Sequence, residues 1–199
     1  YGAMINKDLI IDERCSKSPV YIDDEIAYLN WQYKPILSAN SSHIIGKLKD
    51  TLLTDFVSSI FLTQLEKSTI LLSSSEKSNI KKCGEKVSFD VIKQTPKKFT
   101  GIKPTAVLLE GDFNSNYSEI LHDKLKVNIK NNKMILVSDG DIIANLHNPP
   151  NFYYPLGYYH FGRNVFDGNT NFILNCVQYL CGDEILIKLL NKTKLNEKK

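Results

Sequence analysis

The sequence predicts an α/β fold, a three-layer sandwich in which helices cover both faces of a mainly parallel sheet. Two uninterrupted apolar runs lead to this prediction, Ala106-Val107-Leu108-Leu109 and Met134-Ile135-Leu136-Val137. Strands that are apolar on both faces are typical of parallel sheets with helices on each side. A third observation is Asn171–Cys181, where apolar residues recur every three or four positions and indicate an amphipathic helix.

The other elements are placed from short apolar or alternating segments and the turn residues around them. Strands are predicted at Lys34–Ser38, Leu52–Ile60, Thr69–Ser73, Thr105–Glu110 and Met134–Ser138. Further helices are predicted at Tyr117–Leu125 and Ile142–Leu146. Asn169 or Thr170 is expected to cap the Asn171 helix, and Gly182 to follow its end. The polar region 74–101 predicts a long connection with one short strand at Val87–Phe89.

The pattern leaves open whether the first strands of the sheet are missing. A chain of 199 residues with 42% hydrophobic side chains can bury one full core. We therefore predict a single domain over residues 1–191 and a solvated Lys-rich tail over 192–199. The opening at Tyr1, with no signal peptide pattern, suggests a fragment of a larger chain.

Charge and hydropathy argue against nucleic-acid binding and against a membrane-spanning segment. The net charge is +3 and is spread along the chain, without the basic face and interleaved aromatics that nucleic-acid binding requires. No run approaches the roughly 18 apolar residues of a membrane span. We predict a soluble domain that binds no nucleic acid.

The sharpest local motif is Val137-Ser138-Asp139-Gly140-Asp141, at the end of a predicted buried strand and before a predicted helix. Ligands of open α/β sheets bind at the carboxyl ends of strands, where two carboxylates could hold a hard cation. Alternatively, Asp139 or Asp141 caps the helix and Gly140 forms the turn. No further oxygen-rich motif completes a metal site, so capping is the simpler interpretation, and contact with a partner stays open.

Aromatic residues are concentrated between Phe152 and Arg163, a stretch here called the aromatic segment. Tyrosine beside arginine is typical of protein interfaces, and such a segment could also stack on sugar rings. The structural alternative is a loop that closes one end of the sheet. Tyr154, Tyr158 and Arg163 are therefore predicted, with Asp139 and Asp141, to form a ligand-binding or partner-binding surface.

Motifs for chemistry are weak. The four cysteines, Cys15, Cys83, Cys176 and Cys181, have no zinc-site spacing, and none follows a buried strand as a nucleophile elbow does. No glycine-rich phosphate loop is present. We predict no catalytic residue, no metal and no cofactor. A thiol hydrolase that uses Cys15 or Cys83 stays as an alternative.

Several segments resemble the GldG family, the gliding-motility-associated auxiliary component of an ABC transporter. They are Val137–Ile143, Pro155–Tyr158 and Gly168–Leu180, with further matches at Ala106–Gly111 and Phe56–Ser59. The resemblance implies a flavodoxin-like, glutamine-amidotransferase-like sandwich without the catalytic cysteine, on the periplasmic side of the inner membrane. It also implies a membrane-anchored parent chain and, as partners, a permease and an ATPase subunit.

Together these observations predict a non-catalytic extracytoplasmic accessory domain that binds transporter subunits or cargo. A small-ligand or carbohydrate-binding module is the alternative. An amidotransferase-like hydrolase is the third possibility.

Overall fold

The computed structural model describes residues 2–48, 50–89, 98–113 and 129–196, and every strand pairing among them is antiparallel. The strands of the first half are β1 (Ala3–Ile5), β2 (Asp8–Asp12), β3 (Cys15–Ile22), β4 (Glu25–Ala39), β5 (Leu52–Leu53), β6 (Ile60–Leu62), β7 (Ser68–Ser73) and β8 (Ser78–Lys82). Those of the second half are β9 (Pro104–Phe113), β10 (Ile129–Val137), β11 (His147–Asn148), β12 (Phe152–Tyr153), β13 (Tyr158–Tyr159) and β14 (Asn164–Val165). The helices are α1 (Asp167–Leu180) and α2 (Glu184–Asn196), and short 3-10 turns lie at Ile44–Gly46, Leu65–Lys67 and Asp141–Ile143.

The main sheet has the strand order β10-β9-β7-β4-β3, with β5 added beside β4. Two-stranded sheets β1-β6, β2-β8, β11-β12 and β13-β14 complete the pairing. The described fold is therefore mostly antiparallel β-sheet, and the predicted three-layer α/β sandwich with a parallel sheet is wrong.

The central strand β9 shows why the prediction failed. Its residues from Ala106 to Leu109 are at most 1% exposed, so the strand is covered on both faces, as the apolar run predicted. Ala106 and Leu108 join a core cluster with Phe172 of α1 and Ile187 of α2. Val107 and Leu109 join a second cluster with Ile60 of β6 and Phe113. Helices cover one face and a small sheet covers the other, so burial on both faces did not require parallel strands.

The second apolar run lies in β10, at the edge of the sheet. Met134 is 37% exposed there, while Ile135 and Val137 pack against the helix-side cluster. The run is therefore only partly covered, and the interpretation of β10 as an inner strand is wrong.

Strand β4 is 15 residues long and contains the predicted strand Lys34–Ser38. Its first part pairs with β3, and its last part pairs with β5 and β7. Asp23 and Asp24 connect β3 to β4 with φ angles of 48° and 63°. Positive φ at both central residues is the conformation that matches the twist of a two-residue hairpin. The sequence analysis placed no strand before Lys34 and so missed this hairpin.

Two other strand predictions need correction. Leu52–Ile60 is two short strands, because Phe56 has a φ of 54° and interrupts the extended backbone. Region 74–101 contains β8, whereas Val87–Phe89 forms no strand. Thr69–Ser73 and Thr105–Glu110 are confirmed inside β7 and β9.

The helix predicted at Asn171–Cys181 is confirmed as part of α1, which begins earlier, at Asp167. Its N-cap is Phe166 without a side-chain hydrogen bond, so the predicted caps Asn169 and Thr170 are wrong. Gly182 follows the helix with a φ of 81°, as predicted. Its amide donates to the Tyr179 carbonyl, and the Asp183 amide donates to that of Gln178, which satisfies carbonyls at the helix end.

The remaining helix predictions have different outcomes. Ile142–Leu146 is not a helix, because only the 3-10 turn Asp141–Ile143 forms there. Tyr117–Leu125 lies outside the described residues. Helix α2 extends to Asn196, into the segment predicted as a tail. Within the described ranges, neither helix is long and apolar enough to cross a bilayer.

Candidate functional site

A cleft of about 190 Å³ opens where β4, β5 and the 3-10 turn at Asp141 approach the aromatic segment. It is smaller than the roughly 300 to 1,000 Å³ of a pocket for a drug-sized molecule, and suits one side chain or one small ring. The cleft is lined by Lys34, Leu53, Thr54, Asp55, Asp141, Ala144, Leu146, Gly157, Tyr158 and Asn169.

Asn169 of α1 holds the walls of this cleft together. Its side-chain oxygen accepts a hydrogen bond from the Leu53 amide at 2.9 Å. Its side-chain nitrogen donates to the Leu53 carbonyl at 2.8 Å and to the Ile142 carbonyl at 3.3 Å. Asn169 is 1% exposed, so these bonds form away from water and fix β5 and the 3-10 turn against the helix.

Gly168 explains how Asn169 comes so close to the β5 segment. A Cβ atom at this position would lie 2.2 Å from the Thr51 carbonyl oxygen. Only glycine permits this approach between helix and backbone.

Asp139 lies beneath the cleft and is 8% exposed. Its carboxylate accepts hydrogen bonds from the Asp141 amide at 2.8 Å and from the Asp55 amide at 3.1 Å. Burial raises the pKa of Asp139 to about 6; these two hydrogen bonds oppose the shift, and the charges of Asp141 and Asp55 add to it. The Asp139 carboxylate therefore bonds to the first residue of the 3-10 turn, whose N-cap is Gly140 without a side-chain hydrogen bond, so the predicted helix cap does not form. The carboxylate also ties together two distant segments.

Asp55 carries the other notable carboxylate. Burial raises its pKa, and the ion pair with Lys34, 2.9 Å from Asp55 Oδ2 to Lys34 Nζ, opposes that shift. The second oxygen, Asp55 Oδ1, is buried and has no hydrogen-bond partner among the described residues. The described residues thus leave one buried acceptor oxygen beside the cleft without a hydrogen bond.

The predicted site residues have different positions relative to the cleft. Asp141 and Tyr158 line it, and Asp139 supports it from below. Tyr154 stacks on Tyr158, with ring centroids 4.1 Å apart and an interplanar angle of 9°. Arg163 is exposed, with a φ of 51°, and is not among the residues that line the cleft.

Sequence analysis missed three residues of the site, Lys34, Asp55 and Asn169. Lys34 lies in a strand that was predicted, but nothing in its neighbourhood marks it as functional. Asp55 was placed inside a continuous strand, and Asn169 was interpreted as a helix cap. The run Gly168-Asn169-Thr170-Asn171 was the available signal, because asparagine early in a helix often bonds to backbone groups.

The aromatic segment forms the hairpins β11-β12 and β13-β14 rather than one loop. Phe152 and Tyr153 are 55% and 65% exposed. Tyr153 stacks on His147 with centroids 4.6 Å apart, and the Tyr159 hydroxyl donates to the Lys17 carbonyl of β3. Phe152 and Tyr153 are therefore exposed outside the cleft, whereas Tyr154 and Tyr158 are half-buried.

The described residues that line the cleft include no cysteine and no histidine. Burial raises the pKa of Cys176 to about 12 and, with the charges of Asp12 and Glu13 adding to it, that of Cys15 to about 11. A raised pKa leaves little of the reactive thiolate at neutral pH. Cys83 and Cys181 are exposed. Within the described part of the chain, no group of three His, Cys, Asp or Glu side chains could hold a metal ion.

The described fold thus combines antiparallel sheets with a small, partly apolar cleft beside the aromatic segment. The family model described as ABC-type uncharacterized transport system, ABC_transp_aux, matches residues 1–176. The chain therefore belongs to this family of ABC transport auxiliary components. Membership associates the chain with a membrane transport system and favours a non-enzymatic role. Comparison with curated proteins and with solved structures finds no match.

Proposed function

We propose that this chain is a non-catalytic extracytoplasmic accessory domain of an ABC transport system associated with gliding motility. It acts by binding the permease and ATPase assembly or its cargo on the periplasmic side of the inner membrane, as part of a membrane-anchored parent protein. Family membership supports the transport role. The resemblance to GldG supports the link to gliding motility and the periplasmic side.

The observation that carries a binding role is the cleft beside Tyr158. It combines the Asp141 carboxylate and the Lys34–Asp55 ion pair with the aromatic ring of Tyr158. A binding site typically has a small number of polar groups that converge in a partly apolar concavity. The cleft size suits a single side chain or ring from a partner or a cargo molecule.

Co-purification tests this proposal. The chain is co-expressed with the permease and ATPase subunits of an ABC transporter from the same genome, and recovery of the subunits is measured. We expect the wild-type chain to recover them and Tyr158→Ala to lower recovery about tenfold, as loss of an aromatic anchor does. Tyr153→Ala is the matched control, since Tyr153 is exposed in the same segment but does not line the cleft. Failure to recover any subunit, together with turnover of a small substrate by the chain, would contradict the proposal.

A carbohydrate-binding module is the second candidate, and the stacked pair Tyr154 and Tyr158 favours it. Sugar rings pack on aromatic faces while their hydroxyls bond to carboxylates, and Asp141 lies in the same cleft. A saccharide screen by thermal shift tests it. Stabilisation by a saccharide that Tyr158→Ala abolishes and Tyr153→Ala preserves would establish this candidate instead of subunit binding at the cleft.

A further inference from the structure

The outer part of the β3-β4 hairpin, residues 17–30, is here called the β-arm. Its exposed face carries three large side chains: Tyr21 is 80% exposed, Ile26 53% and Tyr28 49%. Tyr21 pairs directly with Ile26, and Pro19 pairs with Tyr28, so these residues share one face of the ribbon. Tyrosine and isoleucine together on an exposed ribbon form an apolar surface that the described core does not use.

The tip of the β-arm is acidic. Asp23, Asp24 and Glu25 follow one another at the turn and are all exposed. The only other charged residue of the arm is Lys17, whereas the whole chain has a net charge of +3. The β-arm therefore has the opposite charge sign to the protein that carries it.

The exposed face continues toward the aromatic segment. The Tyr159 hydroxyl donates a hydrogen bond to the Lys17 carbonyl at the base of the arm. Burial raises the pKa of Tyr159, the hydrogen bond to Lys17 opposes this shift, and the phenol of Tyr28 adds to it. The β-arm and the β13-β14 hairpin thus form one aromatic border.

We propose that the β-arm docks on a protein subunit of the transport system, at an apolar patch surrounded by lysine and arginine. The choice of a transport subunit rests on the proposed function. Tyrosines on a rigid ribbon provide the anchors that dominate interface energies. The acidic tip selects a basic partner, because complementary charges speed encounter and disfavour partners of the wrong sign.

Charge and backbone chemistry disfavour three other partners for the β-arm: a lipid surface, a nucleic acid and a second copy of the chain. An acidic tip is repelled by anionic lipid headgroups and by nucleic-acid phosphates. A second copy would bring two acidic tips to the same interface in a tip-to-tip arrangement. Edge-to-edge pairing through β3 is also disfavoured, because Pro19 has no N–H to donate and lies in an edge strand.

Site-specific photocrosslinking tests the contact. Benzoylphenylalanine replaces Tyr21 or Ile26 in the chain co-expressed with the permease and ATPase subunits. The control position is Phe61 of β6, which is 55% exposed and lies in the separate β1-β6 sheet. We expect positions 21 and 26, but not 61, to crosslink to one subunit, at a segment that mass spectrometry shows to carry lysine or arginine.

Neutralising the tip tests the charge argument. The triple variant Asp23→Asn, Asp24→Asn, Glu25→Gln removes three charges, and asparagine keeps the preference for the positive φ that this turn needs. We expect the crosslink yield at low salt to fall about tenfold and to lose its dependence on NaCl concentration. Neutralising two exposed acids elsewhere, Glu66→Gln with Glu76→Gln, is the matched control and should leave the yield unchanged.

Three results would overturn the β-arm proposal. They are crosslinks from positions 21 and 26 to a second copy of the chain, flotation of the chain with phosphatidylglycerol vesicles through the arm, and a yield that neutralisation leaves unchanged. If the chain recovers the subunits but the arm gives no crosslink, the β-arm proposal fails and the proposed function stands. If no subunit is recovered at all, the β-arm proposal fails together with the subunit-binding form of the proposed function.

Discussion

Strand β9 and the β-arm are both β-structures rich in apolar residues, yet their surroundings are opposite. Val107 and Leu108 of β9 are 0% exposed, while Tyr21 of the arm is 80% exposed. Helices and the β1-β6 sheet cover β9, whereas the arm extends beyond them. The comparison shows that the apolar content of a strand does not determine its burial. Burial is determined by the elements packed on the strand. Substitutions in the two regions should therefore change the free energy of unfolding by very different amounts.

The largest effect is expected in the core that covers β9. Phe172 of α1 is 0% exposed, and Phe172→Ala should lower the free energy of unfolding by about 3 to 5 kcal/mol, because it removes buried apolar area and leaves a cavity. Chemical denaturation measures this change. Leu174→Ala on the exposed side of the same helix is the control and should cost less than about 1 kcal/mol. Equal costs at the two positions would show that the helix does not cover the sheet as described.

The next effect concerns the attachment of the cleft to the core. Asn169→Leu keeps a similar volume but leaves the amide and carbonyl of Leu53 without their partner. Unsatisfied buried groups cost about 1 to 3 kcal/mol each. Because Leu53 is only half-buried, its two groups should each cost about 1 to 2 kcal/mol, so we expect a loss of about 2 to 4 kcal/mol. Asn151→Leu, at an exposed position, should change the unfolding free energy by less than about 0.5 kcal/mol. If Asn169→Leu leaves the free energy of unfolding unchanged, this side chain does not hold the walls of the cleft together.

A smaller effect should appear as a pH dependence. The pKa of Asp139 is raised from 3.8 to about 6, so the folded state binds this proton more tightly than the unfolded state. The folded state is then favoured at low pH, and this contribution is lost as pH rises from about 4 to about 6. The wild type should lose about 2 kcal/mol relative to Asp139→Asn between pH 4 and pH 7. Denaturation curves of both proteins across that range measure the difference, and parallel pH profiles would exclude the shift.

The smallest effect on stability is expected in the β-arm. Tyr21→Ala removes a side chain that is 80% exposed and should change the free energy of unfolding by less than about 0.5 kcal/mol. The same variant should lower subunit recovery if the arm is the docking element. Thermal or chemical unfolding gives the first quantity and co-purification the second. A large loss of stability would show that the arm belongs to the core and would remove the contrast with β9.

Much of the local structure was predictable. The apolar face of α1, the glycine after its end and the burial of β9 each depend on residues close together in the chain. Asp139 and Asp141 were also found, because carboxylates after a strand mark a turn whatever the direction of the neighbouring strands. The β3-β4 hairpin was missed because its turn is Asp23-Asp24 rather than a glycine-containing pair, and because exposed apolar residues gave it no clear alternation.

The cleft itself was only half predictable. Lys34, Asp55 and Asn169 belong to segments that are far apart in sequence, and no local pattern relates them. The hydrogen bond from the Asp55 amide to Asp139 joins positions separated by 84 residues, and that from Leu53 to Asn169 spans 116. Arg163 was included because it follows the aromatic run, but the β13-β14 hairpin places it away from the cleft lining.

By itself the sequence determined the apolar face of helix α1 and where that helix stops, because apolar spacing and backbone preferences act over a few residues. Tertiary structure alone decided that the strands run antiparallel, since an apolar run has the same pattern in either direction. It also decided that Asp139 titrates near pH 6, because that pKa depends on burial and on carboxylates brought together from distant segments. The exposure of the β-arm was decided in the same way, by the absence of any described element packed on its Tyr21 face.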